Sequence, residues 1–394
     1  MRSRIISADS HILEPPDIWQ NWLPAKYQDK APQLVKDSDG GDAWLFAGAT
    51  EPDPIGLTAT PGMPYDKFRW TGVTYEEARA GCYDGKARLA DLDLDGVDAE
   101  ILYPPQRTIG HFLGDDDDEF VLAGIDAYNN FVWDEFSAPD HARLIPMAQI
   151  PSVGIDVSVD YLRKAKARGF KGVVMSNWPS GKDSLSDEDD AFWAAAEDEG
   201  MTVCNHINLF SRKQRQQVRA AAAKAAAEAG TGTTLLGRSG DKARAKAVGG
   251  LGGVFGPATS TISGLIFTGV FERFPKLQFS MIEIGVGWIP HFLEQLDDRY
   301  WRNRSWGQIP ITEPPSFYWK RNMSATFITD RIGIELRHAA GVDNIMWSTD
   351  YPHHGNDWPY SRKTIDETML GVPADEKAKI IGRNAVRVWN LDED

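Results

Sequence analysis

Carboxylate or imidazole side chains stand at three places in the sequence, each at the end of a short apolar run. The first is Ser7-Ala8-Asp9-Ser10-His11, an Asp-x-His in which strand alternation points both functional side chains to one side. The others are Val203-Cys204-Asn205-His206 and the segment Trp347 to His354, WSTDYPHH, which contains Asp350. Alone, an Asp-x-His is an ordinary polar strand end. If the three runs feed one surface, however, Asp9, His11, His206 and Asp350 bring two carboxylate oxygens and two imidazole nitrogens to a single divalent ion. Such a mixed set suits zinc, manganese or ferrous iron better than calcium or magnesium, and it leaves a position open for water or substrate.

The elements that must position these residues follow from the apolar pattern. Eight short runs recur with helical stretches between them: Arg4–Ala8, Glu100–Tyr103, Leu144–Gln149, Gly172–Met175, Met201–Asn205, Leu277–Ile282, Met323–Ile328 and Asn344–Ser348. Eight strands with intervening helices predict an α/β fold, a distorted (β/α)8 TIM barrel, whose chemistry sits on the loops at the C-terminal ends of the strands. The three metal-binding segments then belong to the first, fifth and eighth strands. One domain spans residues 1–394.

Two long gaps between runs mark insertions. Residues 13–82 are rich in Pro and Gly and carry Trp19, Trp22, Trp44, Phe68 and Trp70, which reads as an irregular excursion over the barrel mouth that shapes the pocket. Residues 210–257, after the fifth strand, hold a strong helix former, RKQRQQVRAAAAKAAAEAG, stopping at Gly230. A short DKARAKAV helix and the glycine-rich GGLGGVFGP follow, and the whole reads as a packed arm or lid, with a disordered segment as the alternative. GGLGGVFG lacks the Gly-Lys-Ser/Thr of a phosphate loop. Gly285-Val286-Gly287 lacks the third glycine of a dinucleotide fingerprint and reads as a tight turn. The run Asp115–Glu119 suits the N-terminus of a helix over Phe120–Phe136 better than a calcium site.

On these motifs the sequence resembles the amidohydrolase superfamily, in particular the amidohydrolase-related branch that contains aminocarboxymuconate semialdehyde decarboxylase and aromatic acid decarboxylases. The resemblance runs in order through SADSHILEPPDIW, VCNH, MIEIGVGWIPHFLEQLD, WSTDYPH and IIGRNAVRVWNLD. It implies a distorted barrel holding one metal, usually zinc or manganese, on Asp9, His11, His206 and Asp350, with Asp350 also able to take or give a proton. Two departures stand out. The semialdehyde decarboxylase type has His-x-His on the first strand where this chain has Asp9. At the end of the sixth strand, where many relatives place a water-activating His, this chain has Glu283, which could replace that base or bind the metal. The fourth strand ends VVMSNW, without the lysine of binuclear relatives, so one metal is expected.

Around this centre, Trp178 is a candidate wall of the substrate pocket or a core residue, and His353 a candidate substrate contact in the last loop. Arg107, in the loop after the second strand, is placed to receive a substrate carboxylate. The leading reading is a metal-dependent, cofactor-free decarboxylase of an aromatic or unsaturated carboxylic acid, with Asp350 or Glu283 protonating the carbon that loses CO₂. The alternative is a hydrolase that directs metal-bound water at an amide, ester, lactone or C–C bond. A third is a barrel that only binds a partner.

Composition bounds the remaining possibilities. Lys and Arg number 42 against 57 Asp and Glu, a formal net charge of −15 that argues against nucleic acid as partner. Neither an apolar leader nor a membrane span is present in the sequence, so a cytoplasmic protein acting on a small molecule is expected. The two cysteines, Cys82 and Cys204, exclude a disulfide framework and a thiolate cluster. The resemblance implies a homodimer or higher homo-oligomer, with SFYWKRN (Ser316–Asn322) as one plausible surface.

Overall fold

The computed structural model describes residues 4–49, 51–207, 209–229 and 255–392. Its strands, numbered along the chain, are β1 (Ile6–Ser10), β2 (Gln33–Lys36), β3 (Asp42–Leu45), β4 (Asp53–Pro54), β5 (Ala99–Leu102), β6 (Leu144–Pro146), β7 (Ala148–Gln149), β8 (Gly172–Val174), β9 (Thr202–His206), β10 (Phe279–Ile282), β11 (Met323–Phe327) and β12 (Ile345–Trp347). Each of the eight predicted runs thus contains a strand. They pair in parallel in two sets, β1-β5-β6 and β7-β8-β9-β10-β11-β12. The run 144–149 divides in two. Pro146 has no N–H to give, and the Met147 amide donates to the Leu102 carbonyl at 3.0 Å, so β6 pairs with β5 while β7 pairs with β8. Between the outer strands β12 and β1 the amide of Thr349 donates to Ser7 Oγ at 2.9 Å.

The parallel strands are buried along their length, as continuous apolar runs covered by helices must be. Helices end where the sequence supplies a stop. Gly85–Asp95 starts on Asp84, whose carboxylate accepts from the Ala87 amide at 2.7 Å, and ends at Gly96, which takes the left-handed conformation with φ 73°. The acidic run caps a helix as expected: Asp117 accepts from the amides of Glu119 and Phe120 at the head of Asp118–Phe131, and Val132–Phe136 continues it as a π turn. Trp19, Trp193, Trp319 and Trp389 are fully buried in the packing around the strands. No described helix is long and apolar enough to cross a membrane.

The excursion over 13–82 is more ordered than its composition suggests. β2, β3 and β4 form an antiparallel sheet, with Lys36 opposite Asp42 at the hairpin. Asp37 builds that turn: its carboxylate accepts from the amides of Asp39, Gly41 and Gly72, at 2.8 Å each, and Gly40 takes φ 86°. In the second insertion a helix covers Arg212–Ala229. The predicted stop at Gly230, the DKARAKAV helix and GGLGG lie outside the described residues. The helix Phe255–Phe267 then leads back to β10. Arg107, expected in a loop, lies on the helix Gln106–Phe112, which Pro105 starts because its missing amide hydrogen and fixed φ suit a helix N-terminus.

Candidate metal centre

Strand ends bring the predicted ligands together. His11 Nε2 lies 2.9 Å from His206 Nε2, 3.5 Å from Asp9 Oδ1 and 3.4 Å from Asp350 Oδ1. His206 Nε2 is 3.5 Å from Asp9 Oδ1 and 3.6 Å from Glu283 Oε2. Asp9, His11, His206 and Glu283 each offer a donor atom within 4.8 Å of the others, and so do His11, Glu283, Asp350 and His353. Two donors each about 2.1 Å from a shared ion stand roughly 3.0–3.4 Å apart at octahedral or tetrahedral angles, which matches these separations.

Polar-group accounting points the same way. Both carboxylate oxygens of Asp9 and Asp350 Oδ1 are buried without a hydrogen-bond donor. A buried carboxylate left so costs several kcal/mol or more, and a divalent cation is the group that relieves it. The donor set therefore fits one divalent ion.

The backbone aims these groups by leaving the strand geometry. Register between β1 and β5 shifts between Ser7 and Ser10, and Ser7 Oγ donates to the Asp9 carbonyl at 2.8 Å. Ile207, Glu283 and Asp350, at or just beyond the ends of β9, β10 and β12, all have positive φ, near 60°. Such conformations are costly for side chains with a Cβ and persist where surrounding contacts hold them. Here the Glu283 amide donates to Thr326 Oγ1 at 2.7 Å and the Ile207 amide to the Ile282 carbonyl at 3.1 Å.

Electrostatics divide the cluster. Burial would raise the carboxyl of Asp9, but the nearby charges of His206 and His11 outweigh it and hold it below its usual range. Burial pushes Glu283 well up, and the neighbouring Asp350 and Asp9 add to the effect. Asp350 is raised well above the usual range by burial and by Asp9. Burial disfavours charge on His206, yet Asp9, Glu283 and Asp350 raise it to about 9. His353 is lowered to about 3 by burial and by His206. Its neutral ring stacks on His11, centroids 4.4 Å apart and planes within 7°, with Nδ1 3.1 Å from Asp350 Oδ2.

The cluster lies on a cavity of about 270 Å³. His11, His206, Glu283 and His353 line one part of it, and Trp44, Phe46, Ile55 and Leu57 from the first excursion form apolar wall. Arg107 lines it too, but its guanidinium is tied to Asp53 at 2.5 Å and lies over the Trp70 ring at 4.6 Å. Trp178 does not line this cavity; its partly buried ring packs against the core. Sequence reasoning missed Glu14, Thr108, Phe210 and Arg215, all of which line it. Arg215 comes from the insertion helix and donates to Asn177 Oδ1 at 2.9 Å and to the Ser176 carbonyl at 2.7 Å. The only sequence signal for Glu14 is its place three residues after His11.

Beneath the centre, fully buried Arg88 pairs with Glu100 at 2.7 Å and donates to the His11 carbonyl at 2.8 Å. It also lies over the Tyr351 ring, 4.3 Å from its centroid.

Comparison with known proteins places this architecture. A curated relative, Decarboxylase orsB of Emericella nidulans, is 26% identical over 223 residues, which cover 55% of this chain and 61% of that protein, so the match spans under two thirds of the relative. The fold resembles the crystal structure of amidohydrolase map2389c from Mycobacterium avium subsp. paratuberculosis K-10, with a TM-score of 0.70 and 20% identity over 100% of this chain and 99% of that one. It also resembles a dihydroxybenzoic acid decarboxylase from Polaromonas sp. JS666 with bound manganese and the inhibitor 2-nitroresorcinol, with a TM-score of 0.64 and 16% identity over 100% and 98% of the two chains. The amidohydrolase family model matches residues 75–391, most of the strand framework and four of the six clustered residues, and on that match the chain belongs to the amidohydrolase family.

Proposed function

We propose that the protein is a metal-dependent decarboxylase of an aromatic carboxylic acid, needing no organic cofactor. The observation that carries this reading is the convergence of Asp9, His11, His206, Glu283 and Asp350 at a largely apolar cavity sized for one small ring. The likeness to decarboxylases, one of them holding manganese, supports it. The underlying fold is a single (β/α)8 barrel closed between β12 and β1, with insertions at 13–82 and 210–257.

Asp9, His11, His206 and Asp350 would hold the ion. When bound, a manganese, zinc or ferrous ion supplies a Lewis acid for a carboxylate and an adjacent oxygen. The protein's own groups do the rest. Trp44, Phe46, Ile55 and Leu57 enclose the ring and exclude water. His353 orients Asp350 through its Nδ1. Glu283 is a carboxyl that burial and the neighbouring charges of Asp350 and Asp9 keep protonated, and it lines the cavity. A proton passes from Glu283 to the ring carbon that bears the carboxylate. The C–C bond then breaks, its electron pair restores the aromatic ring, CO₂ leaves, and water reprotonates the carboxyl.

The test is incubation of manganese-loaded protein with a panel of hydroxybenzoic acids in D₂O. Release of CO₂ with one deuterium at the vacated ring carbon is expected. Cleavage into two fragments carrying solvent oxygen would instead make the protein a hydrolase. Self-association and a cytoplasmic location belong to the same proposal; light scattering at micromolar protein that shows only monomer would remove the first.

A further inference from the structure

Glu14 is a charged residue type buried in the cavity wall with no ion pair of its own among the described residues. It is 6% exposed, lines the cavity, and is not among the groups that converge within 4.8 Å of one another at the metal-binding cluster. Its Oε1 accepts a hydrogen bond from the Thr108 hydroxyl, which fixes the side chain, and its backbone carbonyl accepts from Tyr75 at 2.5 Å. The nearest candidate cation, Arg107, is engaged by Asp53. Among the described residues no ion pair is formed by Glu14. Burial accordingly pushes its carboxyl up to about 7, with the Thr108 bond opposing and Asp53 adding to the rise.

An apolar residue would fill this position at less cost, since a buried carboxyl loses its water and regains only the bonds from Thr108 and its own backbone amide. The carboxyl retains hydrogen-bonding capacity beyond those bonds, in a cavity otherwise walled by Trp44, Phe46, Ile55 and Leu57. A ligand group is what can use it. Arg107 and Arg215 line the same cavity and disfavour an ammonium, while a second carboxylate would meet Glu14 itself. A hydroxyl, which both donates and accepts, suits a carboxyl in either protonation state.

Building on the decarboxylase reading, we propose that Glu14 is a specificity-determining residue that hydrogen-bonds a ring hydroxyl of the substrate. The site distinguishes a hydroxylated ring from the unsubstituted one because the latter offers the Glu14 carboxyl no group in place of the water it displaces.

The experiment is calorimetric binding of benzoate and of 2-, 3- and 4-hydroxybenzoate, with 3-aminobenzoate and 3-methylbenzoate as controls, to manganese-loaded wild type, Glu14→Gln and Glu14→Leu. Metal content and circular dichroism are recorded for each protein. Wild type should bind at least one hydroxybenzoate about tenfold or more tighter than benzoate. Glu14→Leu should bring that ratio to about one, and Glu14→Gln should keep most of it. A preference unchanged in Glu14→Leu, absent from wild type, or stronger for the amine or the methyl group would overturn the proposal. If no benzoate binds the loaded wild type at all, the aromatic-acid reading fails and takes this inference with it. Should Glu14→Leu misfold, Glu14→Gln decides: a ratio reduced to one there, with native metal content, also overturns the hydroxyl contact, because an amide can still serve it.

Discussion

The amide of Asp350 donates to the carbonyl of Asp9 at 3.0 Å, so two carboxylates 341 positions apart are tied by their backbones before their side chains meet. The bond places Asp350 at φ 57° beside a carboxylate of like charge. Two acids held this close, with three buried oxygens lacking donors, make an arrangement that is unfavourable alone and favourable around a cation.

Bound metal should therefore be about one equivalent per chain, and ligand removal should abolish it. Asp350→Asn and His206→Ala are expected to lose at least 100-fold in manganese affinity, since even outer partners of ligands cost 10–100-fold. Elemental analysis and calorimetry measure this. By linkage, a chelator should lower the thermal midpoint of wild type and leave the variants unmoved.

Glu283→Gln separates holding the ion from moving the proton. The amide cannot donate an acidic proton, so turnover should fall by about 10²–10⁴. Metal content should remain near one equivalent, because Asp9, His11, His206 and Asp350 persist. Loss of the ion in this variant would make Glu283 a ligand instead.

Glu14 should make stability depend on pH. Its carboxyl titrates at about 7 when folded against 4.5 as the ordinary value, so between those values the folded chain holds more protons than the unfolded one. Stability from this group is thus complete below about pH 4.5 and is lost as pH rises through 7, by about 3 kcal/mol in all. Asp53, Arg107, Tyr75 and Tyr128 face it, and their contributions cancel when wild type is compared with Glu14→Gln. Urea unfolding at pH 5 and pH 8 should show the variant gaining relative stability at the higher pH; a constant difference would contradict the burial argument.

Arg88→Met should destabilise the fold by about 3–5 kcal/mol, because it leaves Glu100 charged and buried. Arg88→Met with Glu100→Leu should recover much of that loss. Manganese affinity should stay reduced in the double variant, since the bond from Arg88 to the His11 carbonyl is still missing. Denaturant midpoints and calorimetry distinguish the two effects.

Much of this was legible in the sequence, for identifiable reasons. Buried parallel strands are continuous apolar runs, so all eight appeared, and polar residues at their ends drew attention to Asp9, His206 and Asp350. What stayed hidden is how the backbone aims these residues, through chain reversals that carry no glycine signal. Glu283 and Asp350 reach the cluster by left-handed conformations that their residue types do not advertise. The β2–β4 sheet was concealed among Pro and Gly, because its turn rests on one carboxylate, Asp37, reaching three amides. Arg107 drew attention because it follows a strand, whereas Arg215 enters the cavity from an insertion helix and carried no such signal.

The distribution of the clustered residues along the chain has a consequence for how the protein is made. Asp9 emerges from the ribosome 341 residues before Asp350. At roughly 5–20 residues per second, the first of these residues waits about 20–70 s for the last. No nascent fragment short of Asp350 can hold the complete set. An ion held by all of them would thereby report that synthesis has passed β12.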